Sequence, residues 1–126
     1  MTAFSLVAVV DDDGSVRMAL GRLLRSAGLQ VQLFGSGHEL LADPQLHRIA
    51  CVVSDIRMPG FSGFDLFDAL RARGLQTPMI LMTAHASEGD ERRARLSGSA
   101  CFLQKPFAET ELMRCIHEAL ASRRRI

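Results

Sequence analysis

The sequence predicts an α/β domain of five βα units, (βα)5, built on a doubly wound five-stranded parallel sheet. Three observations lead there. Short apolar runs alternate with helical patterns along the whole chain. Most of those runs are continuously apolar, as expected of strands covered on both faces. Strands separated by helices need crossover connections, which make neighbouring strands parallel and place helices on both sides of the sheet.

The elements follow in order. "FSLVAVV" (4–10) is the first strand, and Val16, Ala19, Leu20, Leu23, Leu24 and Ala27 then keep a 3.6-residue period that Gly28 stops. "LQVQLF" (29–34) is the second strand, and Ser36 with Glu39 three residues on resembles a capping box that opens a second helix. "IACVVS" (49–54) is the third, followed by a Met58-Pro59-Gly60 turn and a second box-like pair, Ser62 and Asp65. "PMILMT" (78–83) and "ACFL" (100–103) are the fourth and fifth strands. In the last helix Leu112, Ile116, Ala119 and Leu120 share one face. The segment between the fourth and fifth strands is the exception. "SEGDERRARLSG" (87–98) offers only Ala94 and Leu96 as apolar residues, two apart and so on different faces, which predicts a short, distorted or mobile helix.

Length and composition set bounds. At 126 residues the chain makes one domain, taken as 1–122 with 123–126 a basic tail or the start of a linker. A net charge of +1 argues against a chain built to coat nucleic acid. No apolar run is long enough to cross a membrane, and the N-terminus turns acidic too early for a signal peptide. Cys51, Cys101 and Cys115 are odd in number and lack metal-type spacing, which reads as buried free thiols in a reducing cytoplasm.

The chemistry is predicted at the carboxyl ends of the strands, where such sheets open their crevice. Asp11, Asp12 and Asp13 follow the first strand, Asp55 the third, Thr83 ends the fourth, and Lys105 follows the fifth. If Asp11, Asp12 and Asp55 converge, three close carboxylates oppose one another. With Lys105 counted, the pocket carries −2, which a hard divalent cation balances. Mg²⁺ suits such oxygen ligands, and Mn²⁺ can stand in its place. Asp13 sits where the first helix begins and reads as its N-cap. A carboxylate can accept a phosphoryl group covalently, so Asp55 is the candidate nucleophile, with Lys105 and the Thr83 hydroxyl facing the phosphoryl oxygens. His38, His47 and His117 show no partner pattern, while Arg92, Arg93 and Arg95 read as a solvated helix face. Arg123 to Arg125 suit the end of a helix dipole.

Taken together, "VVDDD", "SDIRMPGFSGFDL", "MTAH" and "FLQKPF", in this order, resemble the receiver domain of bacterial two-component response regulators, most closely the FixJ type, from Leu6 to about Ser122. The resemblance implies a flavodoxin-like strand order 2-1-3-4-5. It implies that Asp55 is the phosphoacceptor for a histidine kinase, and that Asp12, Asp55 and the backbone carbonyl of Arg57 bind Mg²⁺, with Asp11 acting through a metal-bound water. It further implies that Lys105 contacts the phosphoryl oxygens, that Thr83 and Phe102 switch, that the Lys105–Pro106 bond is cis, and that His85 tunes dephosphorylation. The output would be the surface of the fourth helix, fifth strand and fifth helix. That surface would act on an output domain or effector, or through a homodimer formed on phosphorylation, without direct nucleic-acid contact. The implied protein is a cytoplasmic switch, not an enzyme beyond its own phosphorylation and dephosphorylation. It is the receiver part of a transcriptional regulator, or else a free-standing regulator or phosphorelay intermediate. Two further readings are a haloacid-dehalogenase-like phosphatase and a docking module that has lost phosphorylation. The first, a remote alternative, would set its nucleophile after strand one in an Asp-x-Asp context with an added cap. Here "DDDGSV" lacks a matching Thr or Val context and no insertion supplies a cap. The second would have lost an acid or the lysine, and all are present.

Overall fold

The computed structural model describes residues 5–123, with the backbone alone for the last two of these. Phe4, the expected start of the first strand, and Arg124 and Arg125 of the basic tail lie outside that range. The strands are β1 (Leu6–Val10), β2 (Gln30–Phe34), β3 (Ile49–Asp55), β4 (Met79–Thr83) and β5 (Cys101–Gln104). The helices are α1 (Gly14–Ser26), α2 (Gly37–Leu41), α3 (Gly63–Ala72), α4 (Glu88–Ser97) and α5 (Glu109–Arg123). The sheet runs β2-β1-β3-β4-β5 and every pairing is parallel.

Side chains alternate across the sheet, and each face is covered by its own helices. Ala8, Val10, Val52 and Leu81 face Leu40 of α2, Phe64, Leu66, Phe67 and Leu70 of α3, and Ala94 of α4. Val7, Val9, Cys51, Val53, Ile80 and Met82 face Leu20 and Leu24 of α1 and Leu112, Ile116, Ala119 and Leu120 of α5. This double cover explains why the strands read as unbroken apolar runs.

The helix signals hold with one shift and one correction. Asp13 caps α1, its carboxylate accepting from the backbone N–H groups of Ser15 (2.9 Å) and Val16 (3.3 Å). The Ser62–Asp65 capping box of α3 is complete in both directions. At α2, Ser36 accepts from the Glu39 N–H, but the Glu39 carboxylate takes the N–H of Gly35 rather than that of Ser36. The expectation that 87–98 is short or distorted is corrected: α4 is a regular ten-residue helix, as long as α3. Local chemistry replaces the missing apolar stripe. A complete Ser87–Asp90 capping box starts the helix, Glu88, Asp90 and Glu91 favour its dipole, and left-handed Gly98 (φ 86°) closes it. Ala94 is buried and Leu96 is 78% exposed, which fits two residues on different faces.

The cysteine expectation is also corrected. Cys101 at the start of β5 and Cys115 on the buried side of α5 form a disulfide, with a Cα–Cα separation of 6.1 Å, inside the normal range. Their 14-residue spacing carries no pairing signal by itself. Only the packing of α5 under β5 brings the two sulfurs together. Under denaturing, non-reducing conditions Cys101 and Cys115 are expected to resist iodoacetamide and to appear as one cross-linked peptide pair. Reductant should release both; labelling of both without reductant would contradict the pairing.

Candidate functional site

The parallel register brings the chemical groups to one edge. Val10 pairs with Ser54, Asp55 with Met82, and Thr83 with Gln104, so the strands end at nearly one level. The order reverses between β1 and β3, and the crevice opens at that point. Asp11 and Asp12 leave β1, Asp55 is the last residue of β3, Thr83 the last of β4, and Lys105 follows β5.

One carboxylate oxygen from each of Asp11, Asp12 and Asp55 lies within 4.8 Å of the others. Lys105 Nζ bridges two of them, donating to Asp11 Oδ2 and to Asp55 Oδ2, each at 3.2 Å. The remaining oxygens also have partners: Asp11 Oδ1 accepts from the Asp13 N–H (2.9 Å) and Asp55 Oδ1 from the Arg57 N–H (3.1 Å). Access separates the three acids. Asp11 is fully buried, the Asp55 side chain is 12% exposed, and Asp12 is exposed.

Burial sets the proton affinities. Desolvation raises the Asp11 pKa, and the Asp13 N–H and Lys105 offset only part of that rise. For Lys105, desolvation works against the charge, but the carboxylates of Asp11 and Asp55 outweigh it and hold the pKa above its ordinary value. The ammonium therefore stays charged, and the site is an acidic pocket with one fixed cation. All three carboxylates offer hard oxygen atoms, and the exposed side of Asp12 leaves the cluster open to solvent. This donor set fits a hard divalent metal ion.

The surroundings fix the backbone of the site. The Ile56 N–H donates to Met82 O (2.8 Å), the Gly63 N–H to Ile56 O (3.0 Å), and the Lys105 N–H to Thr83 O (2.8 Å). Arg17 donates to the Asp11 carbonyl at 2.7 Å. The Thr83 side chain is buried, and its hydroxyl oxygen accepts from the N–H of exposed His85 (3.3 Å). Phe102 is partly buried against the α3-side cluster, and Lys105–Pro106 is cis. Asp11, Asp12, Asp55 and Lys105 thus meet, with Thr83 at the end of the adjacent strand.

Three contributors escaped the sequence reading. Arg17 carries no local signal. Gly63 carries no distinguishing signal either, since α1 and α2 also begin with glycine, Gly14 and Gly37. The Arg57 side chain turns away from the carboxylates and pairs with Asp90 of α4, 33 residues on.

Comparison with known proteins gives one answer. The family model for the response regulator receiver domain matches residues 7–117. The chain is similar to Nodulation protein W of Bradyrhizobium diazoefficiens, at 39% identity over 109 residues covering 86% of this chain and 48% of that protein. It is similar to Transcriptional regulatory protein FixJ of Azorhizobium caulinodans, at 40% identity over 115 residues covering 90% of this chain and 54% of the relative. The solved structure of full-length FixJ from B. japonicum superposes with a TM-score of 0.87 at 34% identity, covering 96% of this chain and 60% of the other. The chain spans about half the length of the curated relatives it matches.

Proposed function

The chain belongs to the response regulator receiver family, and on that premise we propose that it is a phosphorylation-controlled switch in which Asp55 accepts a phosphoryl group from a histidine kinase. The observation that carries this reading is the convergence of Asp11, Asp12 and Asp55 at the crevice of the sheet, with the Lys105 ammonium bridging Asp11 and Asp55. A carboxylate oxygen of Asp55 forms the new O–P bond while the P–N bond of the kinase phosphohistidine breaks, and the departing imidazole takes a proton from solvent. Lys105, already between Asp11 and Asp55, stands ready to follow the phosphoryl oxygens, since such transfer depends mainly on positioning and charge stabilisation. Asp12, Asp55 and the Arg57 carbonyl, with Asp11 behind them, would hold Mg²⁺. That ion supplies charge neutralisation for the transferring group when bound.

Phosphorylation replaces one carboxylate charge by about −2 and adds strong acceptor oxygens. Thr83 is the hydroxyl positioned to turn towards them, and Phe102, two residues before Gln104 on the edge strand, is the aromatic that follows. His85, exposed beside Thr83, tunes hydrolysis of the phosphoryl group. The changed surface of α4, β5 and α5 acts on an output domain or effector, or joins two copies. By its relatives, a transcriptional regulator is the favoured setting, and the cytoplasm the favoured compartment. Among the described residues no helix is long and apolar enough to cross a membrane.

Incubation with Mg²⁺ and acetyl phosphate, followed by intact mass measurement, tests the reading. One phosphoryl adduct is expected, and chelation of the metal should abolish it. Multiple turnover of phosphomonoesters without an adduct would point to a phosphatase instead. No adduct and no metal binding would leave a docking module.

A further inference from the structure

α4 is held to the domain in an unusual way. It buries only Asp90 and Ala94, so it lacks the apolar stripe by which α1, α3 and α5 grip the sheet. Its charged ties to the rest of the domain run through arginines. The Arg93 guanidinium lies 4.3 Å over the Phe64 ring and 3.9 Å from Asp68, both on α3. Arg57, from the β3–α3 loop, pairs with Asp90 in the first turn of α4. Asp90 is mostly buried, while the Arg57 side chain is 56% exposed. The same Asp90 oxygen also accepts the Ser87 N–H, so one carboxylate both caps the helix and docks it.

Arg57 touches the site at its other end. Its backbone N–H donates to Asp55 Oδ1 at 3.1 Å, two residues from the proposed phosphoacceptor. A single residue therefore holds the Asp55 carboxylate by its main chain and α4 by its side chain. We propose that the Arg57–Asp90 ion pair is a latch that docks the first turn of α4 onto the β3–α3 loop, and that a phosphoryl group on Asp55 opens it by drawing the Arg57 guanidinium away. The opening half rests on the phosphorylation reading above; the docking half does not.

The charges favour this direction. The guanidinium fork matches phosphate oxygens with two parallel bonds, and the phosphoryl group offers about twice the charge of the carboxylate it replaces. A half-exposed arginine has room to swing, and partly exposed pairs are weak enough to exchange. Once Arg57 leaves, Asp90 is a buried charge without its partner, which favours rearrangement of the turn that carries it. With Ala94 as its only buried apolar residue, α4 has little else to keep it seated. This route enters α4 through the phosphoacceptor loop, separately from Thr83 and Phe102.

Hydrogen exchange over residues 87–98, read by mass spectrometry, tests both halves. Without phosphodonor, Asp90→Asn keeps a capping oxygen but removes the charge, and Arg57→Gln removes the other partner. Each should speed exchange by up to roughly fivefold, the range of a modest ion pair. The double variant should go little further than Asp90→Asn, because both changes break one interaction. Unchanged exchange in the single variants, or fully additive effects in the double, overturns the latch. With Mg²⁺ and acetyl phosphate, the unaltered protein should show a phosphoryl adduct and exchange α4 amides as fast as Arg57→Gln does. An equal further acceleration in phosphorylated Arg57→Gln would overturn the opening step, as would an adduct with no acceleration. Absence of any adduct defeats the phosphoacceptor reading and the opening step together, while the single variants still decide the docking half.

Discussion

Asp55→Asn is expected to keep the fold and to take up no phosphoryl group from acetyl phosphate, where the unaltered chain gains one. The side chain keeps its shape, and its one amide oxygen can still accept from the Arg57 N–H. The NH2 in place of Oδ2 only donates, so Lys105 Nζ loses that partner and keeps Asp11 Oδ2. Removing one of three neighbouring carboxylates also relieves like-charge repulsion, so thermal stability should hold or rise slightly. The neutral amide is what fails, because the attack needs an anionic oxygen. The other two acids are poor substitutes, for different reasons. Asp11 is fully buried, with one oxygen on the Asp13 N–H and the other on Lys105. Asp12 is exposed and lacks a contact with Lys105 among the ion pairs of the described residues. An adduct of undiminished yield on Asp55→Asn, mapped to either aspartate, would defeat the assignment. Divalent-cation affinity should fall in the same variant. Because the chain has neither Trp nor Tyr, calorimetry is the suitable readout.

How far the sequence reveals this site depends on how locally each feature is encoded. The strands are legible because double burial writes itself as unbroken apolar runs, and parallel crossovers then place Asp11, Asp55, Thr83 and Lys105 at one edge without further information. Asp13 and the Ser62–Asp65 box are legible because caps act within three residues. α4 misleads in an instructive way. Its Ser87–Asp90 box is as local as that of α3, yet the missing apolar stripe outweighs it when periodicity is the main criterion. The Cys101–Cys115 bond and the Arg57–Asp90 pair are set by how α5 and α4 sit on the sheet, across 14 and 33 residues. One sequence holds no trace of either. They are tertiary facts, and the second is the one that links the β3–α3 loop to α4.

Gly63→Ala is expected to cost about 3 kcal/mol, the upper part of the range for overpacking a filled site, and to slow phosphorylation as well. Gly63 is the first residue of α3, and its N–H donates to Ile56 O at 3.0 Å, which pulls the helix start against the end of β3. A methyl group there would lie 2.6 Å from the Asp55 carbonyl oxygen, 3.1 Å from Ile56 Cα and 3.2 Å from Leu81 Cδ2. The two tightest neighbours are backbone atoms of the sheet, so neither can rotate away as a side chain would. Relief requires either the start of α3 to lift or Asp55 to shift, and a small displacement of a reacting group is costly. Gly60 provides the contrast. It has a positive φ of 74° and nothing within 4 Å of an added Cβ. Gly60→Ala therefore meets only the left-handed backbone penalty, about 1–2 kcal/mol, and leaves Asp55 where it is. Thermal denaturation should show a fall on the order of 10 °C for Gly63→Ala and a smaller one for Gly60→Ala. Rates of adduct formation with acetyl phosphate should fall only in the former. Equal phosphorylation rates in the two variants would mean that the close packing of α3 against β3 does not position the acceptor.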